Sequence, residues 1–190
     1  MIKIVSGEFR GRRLRIPDGK NTRPTSERAR SGLFDWLGPE IQGAEVLDLY
    51  AGSGALAIEA LSRGASRAVC IEHDRAALRC LRENLRALDL KERARVVQGS
   101  VEPELKRLRS RGSCFDLVLT DPPYGSQEWE HLSSGSLLAG VLRPGGQLIL
   151  EHSTRHPAGS EPTGLFLRDR KLYGETAFER YQAEARAVEP

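Results

Sequence analysis

Asp121-Pro122-Pro123-Tyr124 is the most chemically pointed stretch of this chain. Two prolines remove two backbone donors and stiffen the segment. The Asp121 carboxylate and the neighbouring carbonyls then serve as acceptors only, with an aromatic ring beside them. Such a site suits a planar base that carries an exocyclic amino group. Asp121 and the Pro122 carbonyl each accept one amino hydrogen. Tyr124 stacks on the ring, a contact worth about 1–3 kcal/mol per base. The lone pair of such an amine is delocalised into the ring. Two acceptors fixed on its hydrogens favour a more tetrahedral nitrogen, whose lone pair is free to react.

A second constellation lies upstream. Asp48 is followed by Ala51-Gly52-Ser53-Gly54, and Glu72 comes 18 residues after Gly54. Glycines let the backbone approach a ligand closely, and a helix opening after them favours an anionic group. A carboxylate at the end of the next strand is the usual acceptor for ribose hydroxyls. The pattern Gly52-x-Gly54-x-x-Ala57 also fits a dinucleotide-binding domain, so on its own it leaves both readings open.

These residues need elements to position them, and the chain supplies an alternating series. The spacing predicts strands over Glu45–Tyr50, Arg67–Glu72, Ala94–Gln98, Phe115–Thr120 and Gln147–Glu151. Helices are predicted from Ala55 to Arg63, from an Asp74 cap through the stripe Leu78, Leu81, Leu85 and Leu88, over 102–111, and over 131–141. The arginines opposite that stripe, Arg75, Arg79, Arg82 and Arg86, read as a solvated helix face. Runs at 2–5 and 13–16 predict a small β-hairpin. A helix from Ser26 to Leu37 follows, with Thr25 as its N-cap. Residues 165–173 and 176–184 predict a closing antiparallel hairpin around Gly174. The fold class is therefore α/β, a mostly parallel sheet with helices on both faces. With a strand order of 3-2-1-4-5, ligands belong beyond the carboxyl ends of the strands. Asp48, Glu72, Gly99-Ser100 and Asp121 stand at those ends.

With these elements in place, the motifs resemble a known group. Asp48-Leu49-Tyr50-Ala51-Gly52-Ser53-Gly54-Ala55-Leu56, then Glu72, then Asp121-Pro122-Pro123-Tyr124, look like the S-adenosylmethionine-dependent amino-methyltransferases. Three further segments resemble, more narrowly, the RsmD-type 16S ribosomal RNA guanine-N2 methyltransferases. They are Gly7-Glu8-Phe9-Arg10-Gly11-Arg12, Thr22-Arg23-Pro24-Thr25-Ser26-Glu27-Arg28 and Leu61-Ser62-Arg63-Gly64-Ala65. The resemblance runs essentially end to end, including Tyr173-Gly174-Glu175-Thr176. It implies a Rossmann-like class I methyltransferase that uses S-adenosyl-L-methionine and methylates a guanine N2 in 16S rRNA, on the small ribosomal subunit. It further implies that the Asp48–Gly54 turn holds the methionine end of the cofactor, that Glu72 binds its ribose, and that the loop at Ser100 meets its adenine. The family tends to carry Asp where Ser100 stands, and Phe where Tyr50 stands.

Composition sets the outer bounds. The chain has 190 residues, 39% of them AVILMFWYC, and a net charge of +3. One domain is the default at this length, burying about 70% of its unfolded surface. The charge is unevenly spread: residues 1–30 sum to +6 and the remainder to −3. This divides the chain into a basic N-terminal arm over 1–25 and a methyltransferase domain over 26–190. Arg10, Arg12, Arg13, Arg15, Lys20 and Arg23 are the candidate phosphate contacts, which position RNA without reading its sequence. Three cysteines without a C-x-x-C pair argue against a disulfide framework or zinc knuckle. No metal is expected, and His152 and His156 read as ordinary residues. There is no signal-like apolar region and no run long enough to span a membrane, so a cytoplasmic setting is expected. A monomer is the simplest expectation for oligomeric state.

Competing readings remain. Asp-Pro-Pro-Tyr suits an N6-adenine methyltransferase of RNA or DNA equally well, although the chain has no room for a separate DNA-recognition domain. A release-factor glutamine methyltransferase would show Asn at 121. The glycine turn with Glu72 also fits a nicotinamide-dependent oxidoreductase, and the basic front end fits a silent RNA-binding module.

Overall fold

The computed structural model describes residues 1–17, 25–122, 127–157 and 159–184. The chain forms two compact units, Met1–Val101 and Glu102–Pro190.

The first unit opens with β1 (Ile2–Lys3) and β2 (Arg13–Leu14), which pair antiparallel with Ile2 opposite Leu14. The predicted hairpin is therefore present, though shorter than its apolar runs. Ile4 and Leu14 are buried. Helix α1 (Glu27–Leu37) follows, and its cap corrects the sequence reading. Ser26 Oγ, not Thr25, accepts the Ala29 amide at 3.1 Å, the usual N-cap to N3 bond.

Three parallel strands then form in the order β5-β4-β3, where β3 is Glu45–Asp48, β4 Arg67–Glu72 and β5 Ala94–Gln98. Val46, Leu47, Cys70 and Ile71 are buried on them, as expected where helices cover a parallel sheet. Strand β3 is shorter than predicted. The chain turns at Leu49 and Tyr50 rather than extending through them. The linking helices are α2 (Ala55–Ser62) and α3 (Arg75–Ala87). Asp74 caps α3 as predicted, accepting the amides of Ala76 and Ala77 at 2.9 Å. Its stripe Leu78, Leu81, Leu85 and Leu88 is buried.

The basic arm is clamped to the unit through α2. Glu59 is fully buried and takes the amides of Val5 and Ser6 at 2.8 and 3.0 Å. Arg30 and Arg63 flank the same carboxylate at 3.4 and 3.0 Å. One turn on, Ser62 Oγ accepts the Phe9 amide at 3.0 Å, and the Ser62 carbonyl accepts the Glu8 amide at 2.8 Å. Gly7 makes this approach possible. It has φ of 80°, and a Cβ there would lie 1.8 Å from the Ser62 carbonyl oxygen. A buried carboxylate between two guanidiniums and two amides is fully compensated, the condition under which a buried charge is tolerated.

Helix α4 (Val101–Ser110) leads into the second unit. There the strand order is β6-β7-β9-β8, with β6 at Phe115–Thr120, β7 at Leu142–Ser153, β8 at Leu165–Tyr173 and β9 at Thr176–Ala183. β6 and β7 are parallel; β7, β9 and β8 are antiparallel. The closing hairpin stands where it was predicted. Two elements differ. Strand β7 starts at Leu142 rather than Gln147, because an irregularity opposite Phe115–Leu117 accommodates Pro144-Gly145-Gly146. Proline is admitted to a strand at such bulges. Helix α5 occupies Gln127–Ser134 rather than 131–141, with a short 3-10 turn at Ala139–Val141. Ser133 and Ser134 return their hydroxyls to the carbonyls of Glu130 and His131, and the helix stops there.

A polar cluster is buried between β7 and β9. Tyr181 donates to Glu179 Oε2 at 2.5 Å, and Arg170 reaches Glu179 Oε1. His152 Nε2 lies 3.3 Å from the same carboxylate, off the line of a good hydrogen bond, and the contact becomes an ion pair when the imidazole is protonated. The neighbouring Glu179 raises the His152 pKa against its partial burial. Burial opposes the charge on Glu179. The contacts of His152, Tyr181 and Arg170 outweigh it and hold that carboxyl at about 2.

Candidate active site

In the first unit the predicted cofactor residues gather around the loop that follows β3. Gly52 has φ of 54° and Gly54 φ of 83°, a backbone region that favours glycine. The two serve different ends. A Cβ on Gly54 would meet Leu81 Cδ1 at 2.4 Å, so this glycine lets α3 pack against the loop. A Cβ on Gly52 would meet nothing nearer than the Tyr50 carbonyl at 4.0 Å. Its requirement is conformational, and the space above it is open.

Glu72 closes the loop from the end of β4. Its Oε2 accepts the Gly52 amide at 2.8 Å, and its Oε1 accepts the amides of His73 and Asp74 at 2.8 Å. Three amides therefore fix one carboxylate. A carboxylate offers about four acceptor sites, so one remains, on Oε2. Asp48 is buried, and its Oδ2 accepts the Ala57 amide at 3.3 Å in the first turn of α2. Ala51 is tied to the Ile71 carbonyl at 3.0 Å, and Gly54 to that of Ala51 at 2.6 Å. Ser53 is buried and Ser100 is exposed. The Gly99 amide next to Ser100 bonds the Glu72 carbonyl at 3.0 Å. The structure thus brings Asp48, Ala51, Gly52, Ser53, Gly54 and Glu72 into one hydrogen-bonded loop system and sets Ser100 beside it. Beneath it, burial and then the Asp48 charge push the Cys70 thiol well up, leaving it inert.

Sequence reasoning missed Asn84. Its amide donates to the Ser53 carbonyl and to the Arg15 carbonyl, both at 2.9 Å, and its Oδ1 accepts the Arg15 amide at 2.8 Å. One buried side chain thereby ties the glycine loop to the basic arm. The signal was present: Asn84 is the polar residue on the buried side of an otherwise leucine-lined helix.

In the second unit Asp121 and Pro122 follow the last residue of β6, Thr120. Pro122 is buried, and Asp121 is part-buried. Desolvation pushes the Asp121 carboxyl up to about 7. Thr120 Oγ1 is buried with no partner among the described residues. Pro123 and Tyr124 lie outside the described residues. A strand-end carboxyl whose pKa burial lifts toward neutrality is poised to gain from any hydrogen-bond donor brought to it.

Of the arm residues, Arg10, Arg12, Arg13 and Arg15 are exposed. Arg12 Nη2 donates to the Ala87 carbonyl at 3.1 Å, and Arg15 pairs with Glu83 at 2.9 Å. Lys20 and Arg23 lie outside the described residues. His152 belongs to the Glu179 cluster and His156 is exposed; no metal-holding group of His, Cys, Asp or Glu occurs among the described residues. Nor is any helix there long and apolar enough to cross a membrane.

Parallel strands joined by helices, a glycine loop after the first of them and an antiparallel closing hairpin make up the class I methyltransferase fold. A solved Escherichia coli structure of a candidate methyltransferase, yhhF, superimposes with a TM-score of 0.79 at 38% identity, over 97% of this chain and 99% of that one. The family model described as conserved hypothetical protein 95 matches residues 2–182. The chain is 37% identical over 184 residues to ribosomal RNA small subunit methyltransferase D of Escherichia coli K12, covering 97% of this chain and 91% of that protein. It is 32% identical over 182 residues to the Haemophilus influenzae protein of the same name, covering 95% and 93%. The chain belongs to this family.

Proposed function

We propose that this protein methylates the exocyclic N2 amino group of a guanine in 16S rRNA, with S-adenosyl-L-methionine as the methyl donor. The observation that carries the reading is Asp121. It is a carboxyl raised toward neutrality by burial, at the end of β6, in a chain related over nearly its whole length to small-subunit rRNA methyltransferases.

The residues of the first unit suit the cofactor. Open space above Gly52 admits a ligand against backbone, and Glu72 is held by three amides with acceptor capacity to spare. In this reading Gly52, Ser53 and Gly54 face the methionine end, Glu72 takes the ribose hydroxyls, and Ser100 meets the adenine. Asp48 faces the ammonium of the methionine end, and Ala51 belongs to the same cofactor-holding turn. When bound, the cofactor supplies a methyl group activated by a sulfonium. Asp121 and the Pro122 carbonyl each take one hydrogen of the guanine amino group, and Tyr124 stacks on the base. Those two acceptors hold the nitrogen in one orientation and leave its lone pair free. Orientation of this kind contributes on the order of 7–11 kcal/mol to a transfer reaction. The arm residues Arg10, Arg12, Arg13, Arg15, Lys20 and Arg23 contact phosphates, and the base is presented turned outward or from an open loop. A single copy acts on the assembled small subunit in the cytoplasm.

The test is methyl transfer from labelled S-adenosylmethionine to undermethylated small subunits, followed by nucleoside analysis. N2-methylguanine is the expected product. N6-methyladenine would select the adenine-directed alternative, and absence of transfer would overturn both.

A further inference from the structure

Several arginines of this protein are paired with acids. Arg30 and Arg63 meet Glu59, Arg93 meets Glu8, Arg107 meets Glu104, and Arg180 meets Asp169. The outer face of α3 is different. Arg75, Arg79, Arg82 and Arg86 recur every three to four residues, are all exposed, and have no ion pair or hydrogen bond among the described residues. They line an open groove of about 510 Å³, floored by Leu78 and bounded by Gln98. The one acid of the lining among the described residues, Glu83, is paired with Arg15 at 2.9 Å. At 1.5 Å rise per residue the four guanidiniums are spread along about 16 Å of helix.

A solvated charged face ordinarily mixes signs or pairs them at i, i+4. Four like charges at that spacing repel one another and destabilise the helix slightly. A polyanion laid along the groove would reverse the sign of that effect. The basic arm adjoins the same face, since Arg15 is bonded to Glu83 and Asn84 and Arg12 to the last residue of α3.

We propose that the arginine face of α3 is an RNA-backbone track that extends the arm's phosphate contacts. This rests on the rRNA reading above and deepens it. The occupant is the sugar–phosphate chain of the substrate RNA, because four exposed guanidiniums at groove spacing suit successive phosphates and carry no base readout. The assignment replaces the solvent-only role that the sequence pattern suggests for these arginines.

The experiment compares wild type with the fourfold variant Arg75→Gln, Arg79→Gln, Arg82→Gln and Arg86→Gln. A 16S rRNA hairpin is the probe for affinity from low to physiological salt, and undermethylated small subunits are the substrate for methyl transfer. Glutamine keeps helix propensity, and a thermal melt with S-adenosylmethionine titration checks that fold and cofactor affinity are retained. The expected result is hairpin binding weakened on the order of 10- to 100-fold. The slope of log K against log salt should fall by about 3, at roughly 0.7–0.9 per phosphate lost. Transfer should fall through KM with kcat little changed. An unchanged salt slope in a folded variant would overturn the track. So would a loss seen on subunits but not on the hairpin, which would assign the face to a protein partner. Failure of wild type to methylate RNA at all would instead defeat the underlying reading.

Discussion

Replacing Asp121 by Asn should make this protein more stable and less active, and the stability gain should depend on pH. Burial moves the Asp121 carboxyl from an ordinary 3.8 to about 7. An acid with a raised folded-state pKa makes the native state bind more protons than the unfolded one across that window. Stability then falls as pH rises from about 4 to about 7, and levels off above. A gap of about 3 pH units at 1.36 kcal/mol per unit sets a ceiling of about 4 kcal/mol. Asp121 is only part-buried, and solvent reduces the effect to about 2 kcal/mol. Asn cannot ionise and escapes it. Urea unfolding of both proteins between pH 5 and 8 should show a difference that grows toward about 2 kcal/mol. For a chain of this size that corresponds to about 4–8 °C in Tm at pH 8. Methyl transfer should fall on the order of 10- to 100-fold, because one charge-assisted hydrogen bond of about 1.5–3 kcal/mol is lost. In wild type, kcat/KM should rise with pH up to about 7. A stability difference that is constant across pH would refute the desolvation argument. Full activity in Asp121→Asn would refute the role of the carboxylate.

Other outcomes follow from the clamps. Glu59→Gln leaves the fully buried Arg30 without its counter-charge and loosens the Val5 and Ser6 amides; denaturant unfolding should show a loss of about 3–5 kcal/mol. Gly7→Ala forces a Cβ onto the Ser62 carbonyl in a left-handed conformation, so the arm should undock. Amide exchange at Phe9 and Glu8 would report this, and retained protection would contradict it. Glu179→Gln removes the carboxylate that raises His152, so an NMR titration should show that imidazole falling to below its ordinary 6.5 under its remaining burial. In wild type, stability from Glu179 should be lost as pH falls from 4.5 toward about 2, and stability from His152 should be lost as pH rises through its raised value. Asn84→Ala should weaken cofactor affinity, measured by calorimetry, because the Ser53 carbonyl loses its restraint.

Much of this was legible from residues alone. β4, β5 and β6 begin and end where the sequence predicts; for β4 and β6 the reason is that a largely buried strand shows as an apolar run with polar residues or turns at its ends. The motif positions follow from those ends, which is why Glu72 and Asp121 were identifiable as candidates. Pro144-Gly145-Gly146 reads as a break, yet β7 passes through it on a bulge that only the partner strand reveals. The serines at 133 and 134 end α5 through their own side chains, a competition that apolar periodicity does not register. Three other properties depend on what packs nearby. Asn84 acquires its importance from the arm and the glycine loop, Asp121 its raised pKa from burial, and the α3 arginines their unpaired state from the pairing of the nearby Glu83 with Arg15.

The clamp on Glu59 also dictates a sequence of events in folding. Val5 and Ser6 bond a side chain more than 50 residues further on, and Arg15 bonds one 69 residues further on. Contacts of that span close only after their anchor exists, since the loop entropy must be met first. Helices α2 and α3 form from local contacts, whereas the arm has only two residue pairs in its own hairpin. On the ribosome, residues 1–15 therefore leave the tunnel well before their docking site does. The segment synthesised earliest in this unit is the one fixed latest.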